Sequence, residues 1–121
     1  MTYPMIGKRY HVVFPTMSFY LHFVSDKVLE FIVEKSLDLP TGSAHTVDIT
    51  IEHLRDELYL VAWQEENGNT VVHLEDFKEH RVHAFLTMNG MKFIRQNAPL
   101  IEVSASDVER STMTTQPKEV T

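Results

Sequence analysis

The sequence predicts an all-β, antiparallel domain of eight or nine short strands. Three observations predict it. Apolar residues come in short runs rich in β-branched and aromatic side chains. Turn-forming residues separate those runs every 8 to 12 residues or so, the spacing of an antiparallel meander. No segment keeps a 3.6-residue period over three turns, although Val28 to Leu37 imitates one briefly.

The elements follow in order. His11 to Phe14, Phe19 to Val24 and Val28 to Val33 are strand-like runs. Thr46 to Ile51 alternates, with Val47, Ile49 and Ile51 against Asp48, Thr50 and Glu52. Leu58 to Glu65 is a longer apolar run, and Thr70 to Leu74, Arg81 to Met88 and Met91 to Ile94 follow. Leu100 to Val103 supplies a last short strand. Pro15 to Ser18, Ser25-Asp26, Leu39 to Ser43, Arg55-Asp56, Asn67-Gly68-Asn69 and Asn89-Gly90 carry the turn chemistry between them. Asn89-Gly90 is the strongest hairpin signal, because a type I′ turn needs two positive φ values. So many half-buried strands close into a barrel or pair as a two-sheet sandwich, and periodicity does not choose between them.

A chain of 121 residues makes one domain. It buries roughly two-thirds of its unfolded surface, enough for a core without staples. The barrel domain is expected over residues 1–103, followed by a polar, disordered tail over 104–121 with at most a short helix at Ala105 to Arg110. The absence of cysteine excludes disulfides, cysteine zinc sites and thiol nucleophiles. The start MTYPMIGKRY lacks a charged leader and an apolar run, so no signal peptide and a cytoplasmic location are expected. Lys and Arg total 11 against 17 Asp and Glu, a net charge of −6. Such a chain is a poor partner for nucleic acid or an acidic membrane surface, since phosphate contacts need clustered positive charge.

Candidate chemistry sits on two adjacent strands. Alternation places Tyr59, Val61, Trp63 and Glu65 on one face of the first. If that face points inward, Trp63 is a flat wall and Glu65 a partly buried acid of raised pKa, able to move protons. The alternative is a plain core tryptophan and a solvated carboxylate at a strand end. Val71, His73 and Glu75 share a face of the next strand, so cross-strand pairing brings His73 toward Trp63 or Glu65. A rim histidine bonded to backbone is the simpler outcome. The seven histidines show no converging set of three, so no metal is expected, and no glycine loop or Gly-x-Ser-x-Gly elbow points to a phosphate site or a serine nucleophile.

Gly7-Lys8-Arg9-Tyr10, the Ser25-Asp26 turn, LYLVAWQEENGNTVVHL and EHRVHAFL together resemble the phenolic acid decarboxylase pattern. The same features recur in proteins similar to molybdenum cofactor biosynthesis protein F. The resemblance covers about residues 7 to 96 and is sharpest at Tyr59 to Glu65. Both groups are calycins, so it implies an up-and-down, lipocalin-like barrel around a ligand cavity. It places Trp63 and Glu65 on the pocket tryptophan and the catalytic carboxylate. It turns Tyr59, Val61, Trp63, Glu65, Val71, His73, Val82, Ala84, Leu86 and Met88 inward, with Phe14 and Phe19 or Tyr20 closing the cavity.

The departures are informative. Val12 and Phe14 stand where the decarboxylases grip the substrate carboxylate with two tyrosines, and Pro40-Thr41-Gly42-Ser43 offers no arginine. Decarboxylation of a phenolic acid is therefore not expected, because a buried carboxylate without a partner is costly. The expected function is binding of a small apolar or aromatic molecule, without a cofactor. Lyase or isomerase chemistry is the expected extension, with Glu65 and His73 as the catalytic candidates. The alternative is an accessory or homodimeric protein with a filled barrel, using outward Phe85 and Tyr20 as contacts.

Overall fold

In the computed structural model the described residues are 3–109. Most of the expected tail, 110–121, lies outside them. Ten strands form two five-stranded antiparallel sheets. They are β1 (Arg9–Val13), β2 (Ser18–Phe23), β3 (Val28–Lys35), β4 (Ala44–Asp48), β5 (Thr50–Arg55), β6 (Leu58–Gln64), β7 (Thr70–Asp76), β8 (Arg81–Met88), β9 (Lys92–Pro99) and β10 (Ile101–Val103). The first sheet has the order β10-β1-β2-β3-β4 and the second β5-β6-β7-β8-β9. A single helical turn spans 105–109. Among the described residues no helix is long and apolar enough to cross a membrane.

The alternating run expected over Thr46 to Ile51 splits between sheets. Val47, Ile49 and Ile51 do face inward, but β4 and β5 are separated by Ile49 alone and pair with different neighbours. Leu100 alone separates β9 from β10 in the same way. Such corners, where one strand bends from sheet to sheet, are how packed sheets share chain. At these corners β4 approaches β6 and β1 approaches β9.

The core fills the space between the sheets. Phe23, Leu29, Val12 and Val33 come from the first, Val61 and Val82 from the second, all essentially inaccessible. Buried and more exposed residues alternate along β1, β3, β6, β7 and β8, so a one-residue slip there would turn the core face to water. One end is plugged. Met5 is fully buried there, Tyr3 meets the Tyr59 ring edge-on at 5.6 Å, and Phe77 packs against Tyr10 and Tyr59 at 5.5 and 5.9 Å.

Two local expectations are corrected. Positive φ falls on Gly90 (87°) and Met91 (66°), not on Asn89, so this hairpin is a three-residue loop between Met88 and Lys92 rather than a type I′ turn. Asn89 is held by the neighbouring turn: its N–H donates to Asn69 Oδ1 at 2.8 Å and its side chain to the Asn67 carbonyl. Tyr20 is buried (5 % exposed), its ring stacked on His11 at 4.3 Å, so it is not an exposed contact residue. Phe85 does face outward and is exposed.

Candidate functional site

Strand register builds the site in layers. Trp63, Val71 and Leu86 lie side by side across β6, β7 and β8. Val61, His73 and Ala84 form the next layer, and Tyr59, Glu75 and Val82 the one nearest the plugged end. Facing them are Phe14, Met17, Phe19 and Phe31 from the first sheet and its turns. Between the two walls lies a cleft that opens beside the β3–β4 loop and the β6–β7 turn. It holds about 530 Å³ of unfilled space including its mouth, of which about 40 Å³ is wide enough for the centre of a water molecule. It is a narrow, mostly apolar slot.

Of the expected site residues, Phe14, Phe19, Trp63, Glu65, Val71, His73, Ala84, Leu86 and Met88 line this cleft. Tyr59, Val61 and Val82 point inward as expected but do not reach its wall. They are buried in the layers beneath, where Met5 and Phe77 fill the end of the core. The faces that the resemblance turned inward on β6, β7 and β8 point into the core, and the resemblance carried no information on the depth of the plug.

At the mouth a polar network surrounds Glu65, one residue past the end of β6. Its Oε2 accepts a hydrogen bond from the Trp63 indole N–H at 3.2 Å, and its Oε1 one from Asn69 Nδ2 at 3.4 Å. The Glu65 N–H and the Gly68 N–H close the turn on the Asn69 and Glu65 carbonyls. Gly68 has φ of 98°, and a Cβ there would sit 3.0 Å from the Asn89 side chain, so the tight meeting of the two turns requires glycine. Asp38 Oδ2 accepts from Asn67 and Asn69, each at 3.2 Å, tying the β3–β4 loop to the rim. Burial is the largest cause that lifts the Glu65 pKa above the ordinary carboxylate value, and nearby Asp38 adds to it. The bonds from Trp63 and Asn69 and the proximity of His45 oppose the shift.

That shift has a consequence for stability. A carboxyl whose folded pKa is raised contributes stability that is full below its unfolded pKa and is lost as pH rises through its folded pKa. Relative to Glu65→Gln, the wild-type melting temperature should therefore fall as pH rises across that window. A difference between the two proteins that stays flat from pH 4 to 8 would show that Glu65 is not held in this environment.

Deeper in the slot, His73 is nearly inaccessible and its ring meets Trp63 edge-on at 4.9 Å. Its polar partner is not Glu65. His73 Nδ1 lies 3.1 Å from Oε2 of Glu75, which has no exposure at all. Glu75 Oε1 is enclosed and has no hydrogen-bond partner. The two expected acid–base groups thus occupy separate stations, Glu65 at the rim and His73 at the floor. Glu75 was visible in the sequence only as a residue sharing the His73 face. Met17, Phe31, Leu39 and Gln96 also line the cleft, and they come from turns and strands whose facing the sequence left unassigned.

Among the described residues no group of three His, Asp or Glu side chains is placed to hold a metal ion. No curated protein matches the chain. A crystal structure named "putative beta-lactamase from Burkholderia vietnamiensis" matches with a TM-score of 0.78 at 24% identity, covering 85% of this chain and 99% of that one. At that identity the likeness speaks to the fold alone. Residues 6–100 match the profile of the MoaF-like family, a span that takes in every strand through β9 and both stations of the cleft, and the chain belongs to that family.

Proposed function

We propose that the protein binds one small, largely apolar or aromatic molecule in this cleft, and that the Glu65 carboxyl exchanges a proton with it. The observation that carries the proposal is the meeting of an apolar slot with a partly buried carboxyl whose pKa burial raises. Few convergent polar groups in an apolar concavity are the ordinary make-up of a small-molecule site. Acid–base lyase or isomerase chemistry suits it better than hydrolysis, because among the described residues the one hydroxyl side chain on the cleft wall, that of Ser36, is bonded to Asp38 and not to a histidine base. Val12 is buried in the core and Phe14 lines the cleft, so the wall is apolar where a substrate carboxylate would need partners.

The proposal treats the two sheets as halves of one calycin-like barrel over residues up to 103. Its support is the pair of single-residue corners, which turn β4–β5 and β9–β10 into strands shared by both sheets. A second function, that of a filled barrel acting through its surface as a homodimer, is favoured by the narrowness of the slot and by exposed Phe85.

Ligand-dependent melting separates the two. A ligand at 100 times its Kd adds about 2.7 kcal/mol, a rise of roughly 10 °C for a domain of this size. Ala84 lies directly across from His73. Ala84→Phe should fill the floor, remove the rise and leave a cooperatively folding protein, with an overpacking cost of about 1–3 kcal/mol. A panel of aromatic acids, phenols, aldehydes and ketones that leaves the wild-type melting temperature unmoved would favour the filled barrel.

A further inference from the structure

We propose that His73 presents an Nε2–H donor at the floor of the cleft, held in that state by Glu75, and that this donor selects ligands carrying a neutral carbonyl oxygen. The inference rests on the small-molecule function proposed above and names the ligand class for that same site.

The geometry fixes which nitrogen faces the slot. Nδ1 is engaged by Glu75 at 3.1 Å, on the side of the plugged end. The two ring nitrogens diverge, so Nε2 points away from Glu75. Among the described residues Nε2 makes no hydrogen bond, yet the only enclosed side-chain nitrogen or oxygen without a partner is Glu75 Oε1. Nε2 therefore meets open space, and the open space that His73 borders is the cleft.

The hydrogen on Nε2 follows from charge. Three proton arrangements place a hydrogen between Nδ1 and Oε2. The first, a neutral ring donating from Nδ1 to an ionised Glu75, leaves one uncompensated negative charge in the core. Glu75 has zero exposure, one oxygen lacks any partner, and among the described residues its ion pair is with His73 alone. Tyr10 supplies no compensating charge; its hydroxyl stays neutral, pushed upward by burial and by Glu102 and Glu75. Such a buried charge costs several kcal/mol. The other two arrangements are neutral overall: an imidazolium beside a carboxylate, or a protonated carboxyl donating to Nδ1. In both, Nε2 carries the hydrogen. A donor at the end of an aromatic slot calls for an acceptor on the ligand. Asp38 and Glu65 at the mouth disfavour an anion, so the acceptor is a neutral one, and a carbonyl oxygen is the strong neutral acceptor that a small aromatic molecule can place at the end of a narrow slot.

The test compares acetophenone with ethylbenzene, which differ in the carbonyl group, by calorimetric titration. The ring of His73 is followed in parallel by nitrogen-15 NMR of the ligand-free protein. The wild type should bind acetophenone about tenfold more tightly, the worth of one good hydrogen bond, and Nε2 should be protonated. In His73→Leu/Glu75→Val, which keeps an apolar floor, the ratio should fall to about one. Equal affinity of the wild type for both compounds overturns the carbonyl preference and leaves the proposed function standing. An unprotonated Nε2 overturns the donor assignment even if the double variant fails to fold. Binding of neither compound with Nε2 protonated overturns the small-molecule function, and the ligand preference with it, while the donor assignment holds.

Discussion

His73→Leu alone should destabilise the fold by about 3–5 kcal/mol, because it leaves the fully buried Glu75 without its one polar partner. That is a large share of the 5–15 kcal/mol that typically holds a domain together. His73→Leu/Glu75→Val should recover most of the loss, since apolar residues of similar volume replace a buried pair at little net cost. Urea midpoints for the wild type, both single variants and the double variant measure the coupling directly. Additive losses, with the double variant worse than either single one, would show that the two side chains do not act as a pair.

Glu65→Gln should abolish turnover of whatever compound the cleft is found to convert. Loss of a positioned general acid or base costs about 10²–10⁴ in rate. The amide keeps the shape of the side chain and one of the two acceptors to which Trp63 and Asn69 donate, so the protein should still fold, at the cost of about one rim hydrogen bond, roughly 0.5–1.5 kcal/mol. Binding should change little, which separates a role in proton transfer from a role in affinity. Retained turnover would remove Glu65 from the mechanism and shift attention to the His73 station.

Much of this was legible in the sequence. Period-two alternation over Leu58 to Glu65 and Thr70 to Asp76 sorted these residues onto two faces, since a strand face is fixed by parity. Parity did not say which face is buried; the family resemblance turned the Trp63 and His73 face inward, and both are buried. Parity says nothing of depth, so Tyr59, Val61 and Val82 were expected on the cavity wall when Met5 and Phe77 in fact fill that end. Alternation through Val47, Ile49 and Ile51 is unbroken, so the change of sheet at Ile49 left no mark on it. The Asn89-Gly90 turn deviates from its local preference because Asn89 is bonded across to Asn67 and Asn69, a long-range contact that no short window contains. Tyr20 has the parity of an outward residue, but the stacked His11 ring lies against it. Asp38 and Asn69 read as turn residues, and only the meeting of their loops makes them the rim of a site.

Trp63 is the only tryptophan in the chain and lies on the wall of the cleft beside Glu65, so its emission reports on that space alone. Titration with small aromatic carbonyl compounds, phenols and acids, corrected for inner-filter absorption, tests occupancy of the cleft most directly. Saturable change in Trp63 emission with one class, absent in Ala84→Phe, is the predicted result. A blue-shifted Trp63 emission that no compound in the panel alters would contradict a ligand-binding cleft and leave a filled barrel that works through its surface.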